Sequence, residues 1–473
     1  MATPPNILLI LADQHRYDWL EGEDPALPVR TPNLRRLQES GVTFTRTTSP
    51  APLCAPARAC LVTGRDYDHG PVPSNAFDLP LDHPTYFHGL RDDAGYFVAG
   101  VGKFDLHKAT FDWNLDGSRC LREWGLSDGI DNEGKFDSLW SSRTGPKGPY
   151  MQHLTERGTA PEHLADFERR RSGLYSDVGL SPVAEEDYLD NWIASNAHTM
   201  LDRRPDGVPW HLMINFAGPH DPMDVTQRMR DRWADVRFPH PHDAADFDGD
   251  HQEVRRRYAA MIENIDRHVG ELLDRLEAEG QLANTIVIYT SDHGELLGDH
   301  GIWGKAIALE PSIRVPLIVS GPGVRRQGER IDALVTLEDV AATILEAAGQ
   351  KGIPGMTAQS LWPVLRGETS EHREFVISGL DRSEQEVQGS LAHYGANPWL
   401  GLASWRTLTR GDQKLIVSPQ LARPMLIDLD ADPFERHDLA DERPEDVTAM
   451  LELLHAGIGA YPRSADAPGG GTA

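Results

Sequence analysis

Five runs of mostly apolar, β-branched or aliphatic residues, each about the length of one strand, constrain this chain more than any other feature. They are Ile7–Ala12, Tyr96–Val101, His211–Phe216, Thr285–Thr290 and Val315–Ser320. A strand with one wet face alternates apolar and polar residues. Runs without that alternation suit strands covered on both faces, as in a parallel or mostly parallel sheet between helices. The clearest helix is Glu253–Glu279, where Val254, Tyr258, Ile262, Ile265, Val269, Leu272 and Leu276 recur at helical spacing until Gly280 stops it. A second follows Thr336, with Asp339 in a capping-box-like position before Ala341–Ala348. The expected fold class is α/β, a large mixed, mostly parallel sheet sandwiched by helices. At 473 residues the chain has room for that domain and a smaller one.

The texture changes near Gly367. Trp405–Thr407, Lys414–Val417 and Met425–Leu429 read as short antiparallel strands, followed by a helix over Pro444–Leu454. The expected division is a main α/β domain over 1–366, a C-terminal α+β subdomain over 367–462 and a disordered Pro- and Gly-rich tail over 463–473. Residues 115–208 lack clear periodicity and are expected to form loops over the active-site mouth that select the substrate.

A net charge of −27 disfavours nucleic acid and anionic membrane surfaces as partners. Cys54, Cys60 and Cys120 make no disulfide framework. The run Ile7–Ala12 is too short to span a membrane, ends in Asp13 and has no basic segment before it. A soluble, cytoplasmic protein is expected, and a homo-oligomer stays open. Gly125–Gly129 matches Gly-x-Ser-x-Gly, but no apolar strand precedes it, so it reads as a loop and not a nucleophile elbow. His240, His242 and His251 sit among Pro and Asp and read as solvated loop.

Residues 54–64 read Cys54-Ala55-Pro56-Ala57-Arg58-Ala59-Cys60-Leu61-Val62-Thr63-Gly64. This resembles the signature of the type I, formylglycine-dependent sulfatases of the alkaline phosphatase superfamily, Cys-x-Pro-x-Arg followed at fixed distance by Thr-Gly. Thr31–Leu34, Gly41–Phe44, Thr290–Leu296 and the carboxy-terminal Asp432-Pro433 and His437–Leu439 extend the resemblance over nearly the whole chain, most weakly across 115–208. It implies an alkaline phosphatase-like fold and a maturation partner, a formylglycine-generating enzyme, that oxidises Cys54 to an aldehyde. One hydroxyl of the hydrated aldehyde attacks sulfur and the other later expels sulfate, where a serine would stay sulfated. Arg58 would hold and polarise that diol, and Cys60 reads as a small buried hydrophobe.

The resemblance also implies a metal site. Asp13-Gln14 and Asp292-His293 each follow a predicted strand, where ligands collect in open α/β sheets. With residue 54 they would hold one divalent cation. Ca²⁺ is favoured by oxygen-rich ligation, while one imidazole and one neutral amide leave Mg²⁺ or Mn²⁺ open. Lys103, His220 and Lys305 stand at the family's cationic positions and would neutralise sulfate. The family commonly carries a histidine two residues after that lysine. Here the position is Asp105, and His107 is the nearest histidine, so His107 is the expected substitute.

The expected reaction is hydrolysis of a sulfate monoester of a small molecule or carbohydrate. Phosphonate monoester and phosphodiester hydrolases of the same superfamily share Cys-x-Pro-x-Arg with Asp-Gln and Asp-His pairs and form the runner-up. A metal-dependent anion-binding protein whose Cys54 is never oxidised is a third reading. Aryl, choline-like and carbohydrate alcohols all fit the motifs.

Overall fold

The computed structural model describes residues 4–171, 173, 175–394 and 397–459. Its main sheet contains β1 (Asn6–Asp13), β2 (Gly41–Thr48), β3 (Phe97–Gly102), β4 (Asp128–Asp131), β5 (Trp210–Pro219), β6 (Thr285–Ser291), β7 (Arg314–Ser320) and β8 (Glu329–Thr336). Their order is β4-β3-β5-β1-β6-β7-β2-β8. All run in one direction except β7, which is antiparallel to both neighbours. The sheet is thus mixed and mostly parallel, and each of the five aliphatic runs lies in one of its strands or begins one residue before it.

Burial on both faces explains the missing alternation. Along β1, Leu8, Ile10 and Ala12 enter one core while Ile7, Leu9 and Leu11 enter the other. Each large aliphatic side chain removed from water contributes about 1.5–3 kcal/mol. The helix His251–Ala278 covers the first face through Tyr258, Ile262, Ile265, Val269 and Leu272. The second is covered by Cys54–Thr63, buried along its whole length, and by Asp339–Ala347. Before the latter helix, Thr336 donates its backbone N–H to Asp339 Oδ2 at 3.1 Å, as a capping carboxylate requires.

The expectation of irregular loops over 115–208 needs correction. This stretch holds helices Lys135–Ser141, Pro149–Arg157, Ala160–Arg170 and Leu189–Arg203, besides β4. Their periodicity is masked because their buried faces carry polar residues: His163 and Arg170 in one, Asp190 and Asn191 in another. The Gly-x-Ser-x-Gly match runs into β4, and Ser127 pairs with the backbone of Val98.

A second sheet, order β12-β11-β10-β9, is formed by β9 (Val376–Asp381), β10 (Ser404–Arg410), β11 (Gln413–Val417) and β12 (Met425–Asp428). All its pairings are antiparallel, and helix Pro444–Ile458 packs on it through Met450 and Leu454. The expected tail at 463–473 lies outside the described residues. The subdomain is tied to the main sheet by charge. Lys414 Nζ on β11 donates to Glu435 Oε1 at 2.7 Å and to Glu310 Oε1 at 3.0 Å, four residues before β7. Burial lowers the proton affinity of Lys414, but Glu310 and Glu435 outweigh it and hold the ammonium above its ordinary range.

Replacing Lys414 with Met leaves buried Glu435 and partly buried Glu310 without this cation, which is expected to cost about 3–5 kcal/mol. Urea unfolding should show a lower midpoint. Adding Glu310→Gln and Glu435→Gln should return most of the loss, and a Lys414→Met protein as stable as its parent would contradict this account.

Candidate active site

β3, β5, β1 and β6 lie side by side and parallel, so their carboxyl ends open onto one edge. Lys103 follows β3, His220 follows β5, Asp13 ends β1 with Gln14 next, and Asp292-His293 follows β6. Cys54 meets them as the first residue of its helix. Asn75 supports that helix start by accepting the Ala55 N–H at 3.0 Å.

Arg58, one turn along, ties these ends together. Its Nε donates to Asp292 Oδ2 at 2.9 Å, Nη2 to Asp13 Oδ2 at 3.0 Å, and Nη1 to Asn215 Oδ1 at 3.2 Å and to the Lys103 carbonyl. The guanidinium and both carboxylates are buried, so the planar fork holds two strand ends in one geometry. Asp292 Oδ1 accepts the Gln14 and His293 backbone N–H groups at 3.0 Å each. His293 Nδ1 lies 3.1 Å from the Gly294 carbonyl. A carbonyl only accepts, so Nδ1 carries a proton and Nε2 is the nitrogen turned to Cys54 Sγ, at 3.3 Å.

One donor atom each from Asp13, Cys54, Asp292 and His293 lies within 4.8 Å of the others. Two carboxylates, an imidazole lone pair and the side chain of residue 54 form a donor set suited to a divalent cation. Gln14 stands beside this cluster at φ 69°. Its Oε1 accepts from Lys305 Nζ at 2.7 Å, while Nε2 faces Asp221, Tyr175 and Glu295.

Positive charge surrounds the cluster. Lys305 Nζ lies 3.2 Å from Cys54 Sγ, and Lys103 Nζ rests on Asp13 Oδ2 and 3.2 Å from Asp105. Burial would raise the Asp13 carboxyl, but Lys103, His220, Lys305 and Arg58 hold it well below its usual range. Burial and Asp13 push the Cys54 thiol up, yet Lys103, Lys305 and His293 win and hold it well below the ordinary value. Burial and Lys305 lower His220, and Asp221, Asp13 and Cys54 together leave it raised. Its Nδ1 donates to the Asp221 carbonyl at 2.6 Å. Such a pocket suits a compact oxyanion presented to residue 54.

His107 has partners of its own beside this cluster. Its Nε2 lies 2.9 Å from Asp131 Oδ2, and its ring packs between Trp113 and Trp124 at centroid distances of 5.5 and 5.6 Å. Asp105, at φ 55°, meets Lys103 instead and is also held by Lys108 at 2.9 Å. His251 and His242 pack on Trp303 and Phe434. Asn215, Tyr175, Asp221 and Glu295 escaped the sequence reading. Asn215 carried a signal, since it is the polar residue inside an aliphatic run whose strand is buried on both faces.

Residues 5–350 match the family model described as Sulfatase. The chain belongs to the sulfatase family. This sulfatase is 28% identical to a choline-sulfatase of Rhizobium meliloti (strain 1021), the match covering 92% of the chain and 82% of the relative. It is 26% identical to an arylsulfatase of Clostridium perfringens (strain 13 / Type A), over 95% of the chain and 93% of the relative. Its fold matches the crystal structure of a phosphonate monoester hydrolase of Agrobacterium radiobacter with a TM-score of 0.76 at 23% identity, covering 96% of this chain and 95% of that one. That likeness is one of fold.

Arg58→Lys in this sulfatase keeps the charge but replaces a fork touching four groups with a single ammonium. Turnover is expected to fall by roughly 10²-fold or more. Near-parental kcat from a folded Arg58→Lys enzyme would show that the bridge between Asp13 and Asp292 is dispensable.

Proposed function

We propose that this sulfatase hydrolyses a sulfate monoester to an alcohol and inorganic sulfate, with residue 54 as nucleophile after oxidation of Cys54 to formylglycine. The observation that carries the reading is the packing of Lys305, Lys103 and Arg58 around Cys54 and two buried carboxylates, in a chain whose net charge is −27. The hydrated aldehyde supplies one hydroxyl for attack and a second that releases sulfate again. Asp13, Asp292, His293, Gln14 and residue 54 would hold one divalent cation, Ca²⁺ before Mg²⁺ or Mn²⁺, which when bound supplies Lewis acidity to a sulfate oxygen and acidifies a hydroxyl on residue 54.

The chain's own groups do the rest. Lys103 and Lys305 offset the sulfate charge where water is excluded, so their attraction is stronger than at a surface. Arg58 keeps the two aspartates in register. His220 holds one nitrogen on the Asp221 carbonyl, which leaves Nε2 to hold a proton for the departing alcohol oxygen. Maturation would require a formylglycine-generating enzyme. Cys54, Cys60 and Cys120 form no disulfide with one another, which supports the reducing cytoplasm as the proposed compartment.

The runner-up keeps a specific basis, because Gln14 and His293 are also the pairing of the phosphonate monoester hydrolases that the sequence resembles. Side-by-side kcat/KM for an aryl sulfate and an aryl phosphonate monoester with the same leaving phenol decides between them. The sulfate is expected to be the better substrate, and a preference for the phosphonate would transfer the assignment. His220→Ala and Lys305→Ala should slow chemically unrelated sulfate esters by similar factors, since they meet the transferred group. Loss of one ester alone would place the altered residue against the alcohol instead.

A further inference from the structure

Gln14 differs from the other groups around the cluster in having two unlike ends. A carboxylate accepts through either oxygen, whereas an amide presents an acceptor only when its NH₂ points the other way. The backbone cannot settle which, although it is firmly held. Gln14 sits at φ 69°, a region costing a non-glycine residue about 1–2 kcal/mol. Its N–H is held by Asp292 and its carbonyl by the Tyr258 hydroxyl. The amide is oriented from beneath. Nε2 donates to Glu295 Oε2 and lies 3.3 Å from Asp221 Oδ1, so Oε1 turns toward Lys305 at 2.7 Å and the cluster.

Glu295 can hold this role because it is itself fixed. Its Oε1 accepts the backbone N–H of Leu297 at 3.0 Å and of Gly304 at 2.7 Å, and its Oε2 accepts the Tyr175 hydroxyl at 2.9 Å. The side chain is fully buried and stands outside the set of residues that meet the cation or the sulfate. We infer that Glu295 is a positioning residue that selects the orientation of the Gln14 amide and so presents its oxygen to the cation, an inference that rests on the metal site of the proposed function.

The geometry makes a distinctive demand. In Glu295→Gln the two backbone N–H groups keep Oε1 as the acceptor, which forces the new NH₂ against the Gln14 NH₂. Turning Gln14 over relieves that contact only by setting its NH₂ against the Lys305 ammonium. Neither orientation is satisfied. The exchange Glu295→Gln with Gln14→Glu restores a donor facing an acceptor at both ends and leaves the total charge unchanged.

Calorimetric titration of the metal-stripped proteins with Ca²⁺, and with Mn²⁺ in parallel, tests this, with circular dichroism to establish folding. Glu295→Gln is expected to weaken binding about 10–100-fold, the usual cost of losing a group that orients a ligand. The double exchange is expected to recover most of that factor, which a residue needed only for folding would not allow. Unchanged affinity in Glu295→Gln, or a double exchange no better than it, would overturn the inference while leaving the metal site intact. A wild-type protein that takes up neither cation would instead overturn the metal reading and this inference with it.

Discussion

The buried carboxylate of Asp13 dictates how the strand ends around it must be arranged. It ends the central strand of an eight-stranded sheet with no exposed surface. Isolating such an ion from water costs several kcal/mol, and the offset comes from Arg58, Lys103 and Lys305 on three separate segments. Those cations can reach it only if β3 lies two strands from β1, β6 lies next to it, and the Cys54 helix crosses their carboxyl ends. The fold and the site are therefore conditions for each other.

The pocket is organised before any substrate enters. Arg58 spans Asp13 and Asp292 while its third contact reaches Asn215 on β5, so three neighbouring strand ends are set by one rigid group. His293 has its tautomer set by the Gly294 carbonyl, and the Gln14 amide is set by partners on either side. Polar groups so fixed need little reorganisation as charge moves during reaction, which is where electrostatic catalysis derives its advantage. The long helix and the aliphatic layers on both sheet faces supply the rigidity that this precision needs.

Much of this was legible in the sequence, for identifiable reasons. The strands buried on both faces declared themselves because none of their residues had to meet water. The Asp13, Cys54 and Asp292 blocks combined unusual chemistry with close spacing to such strands. The direction of β7 was not legible, since Val315–Ser320 reads the same whether its neighbours are parallel or antiparallel. The helices of 115–208 stayed hidden because residues such as Asp190 and His163 are buried where apolar side chains were expected. His107 was chosen on spacing alone, as the nearest histidine, and its contacts with Asp131 and two indole rings could not be read from the sequence. Glu295 lay inside a quoted motif, but its role rests on contacts with Tyr175 and Gln14, which are distant in sequence.

Residue 54 is proposed to act as an aldehyde hydrate within this ring of charge. The most direct test is peptide mass spectrometry of the segment containing Cys54, across preparations with graded formylglycine content, matched to sulfate-ester turnover of each. Turnover is expected to be proportional to the aldehyde fraction and to extrapolate to zero when all of residue 54 is thiol. Full turnover from a preparation containing only the Cys54 thiol would contradict it.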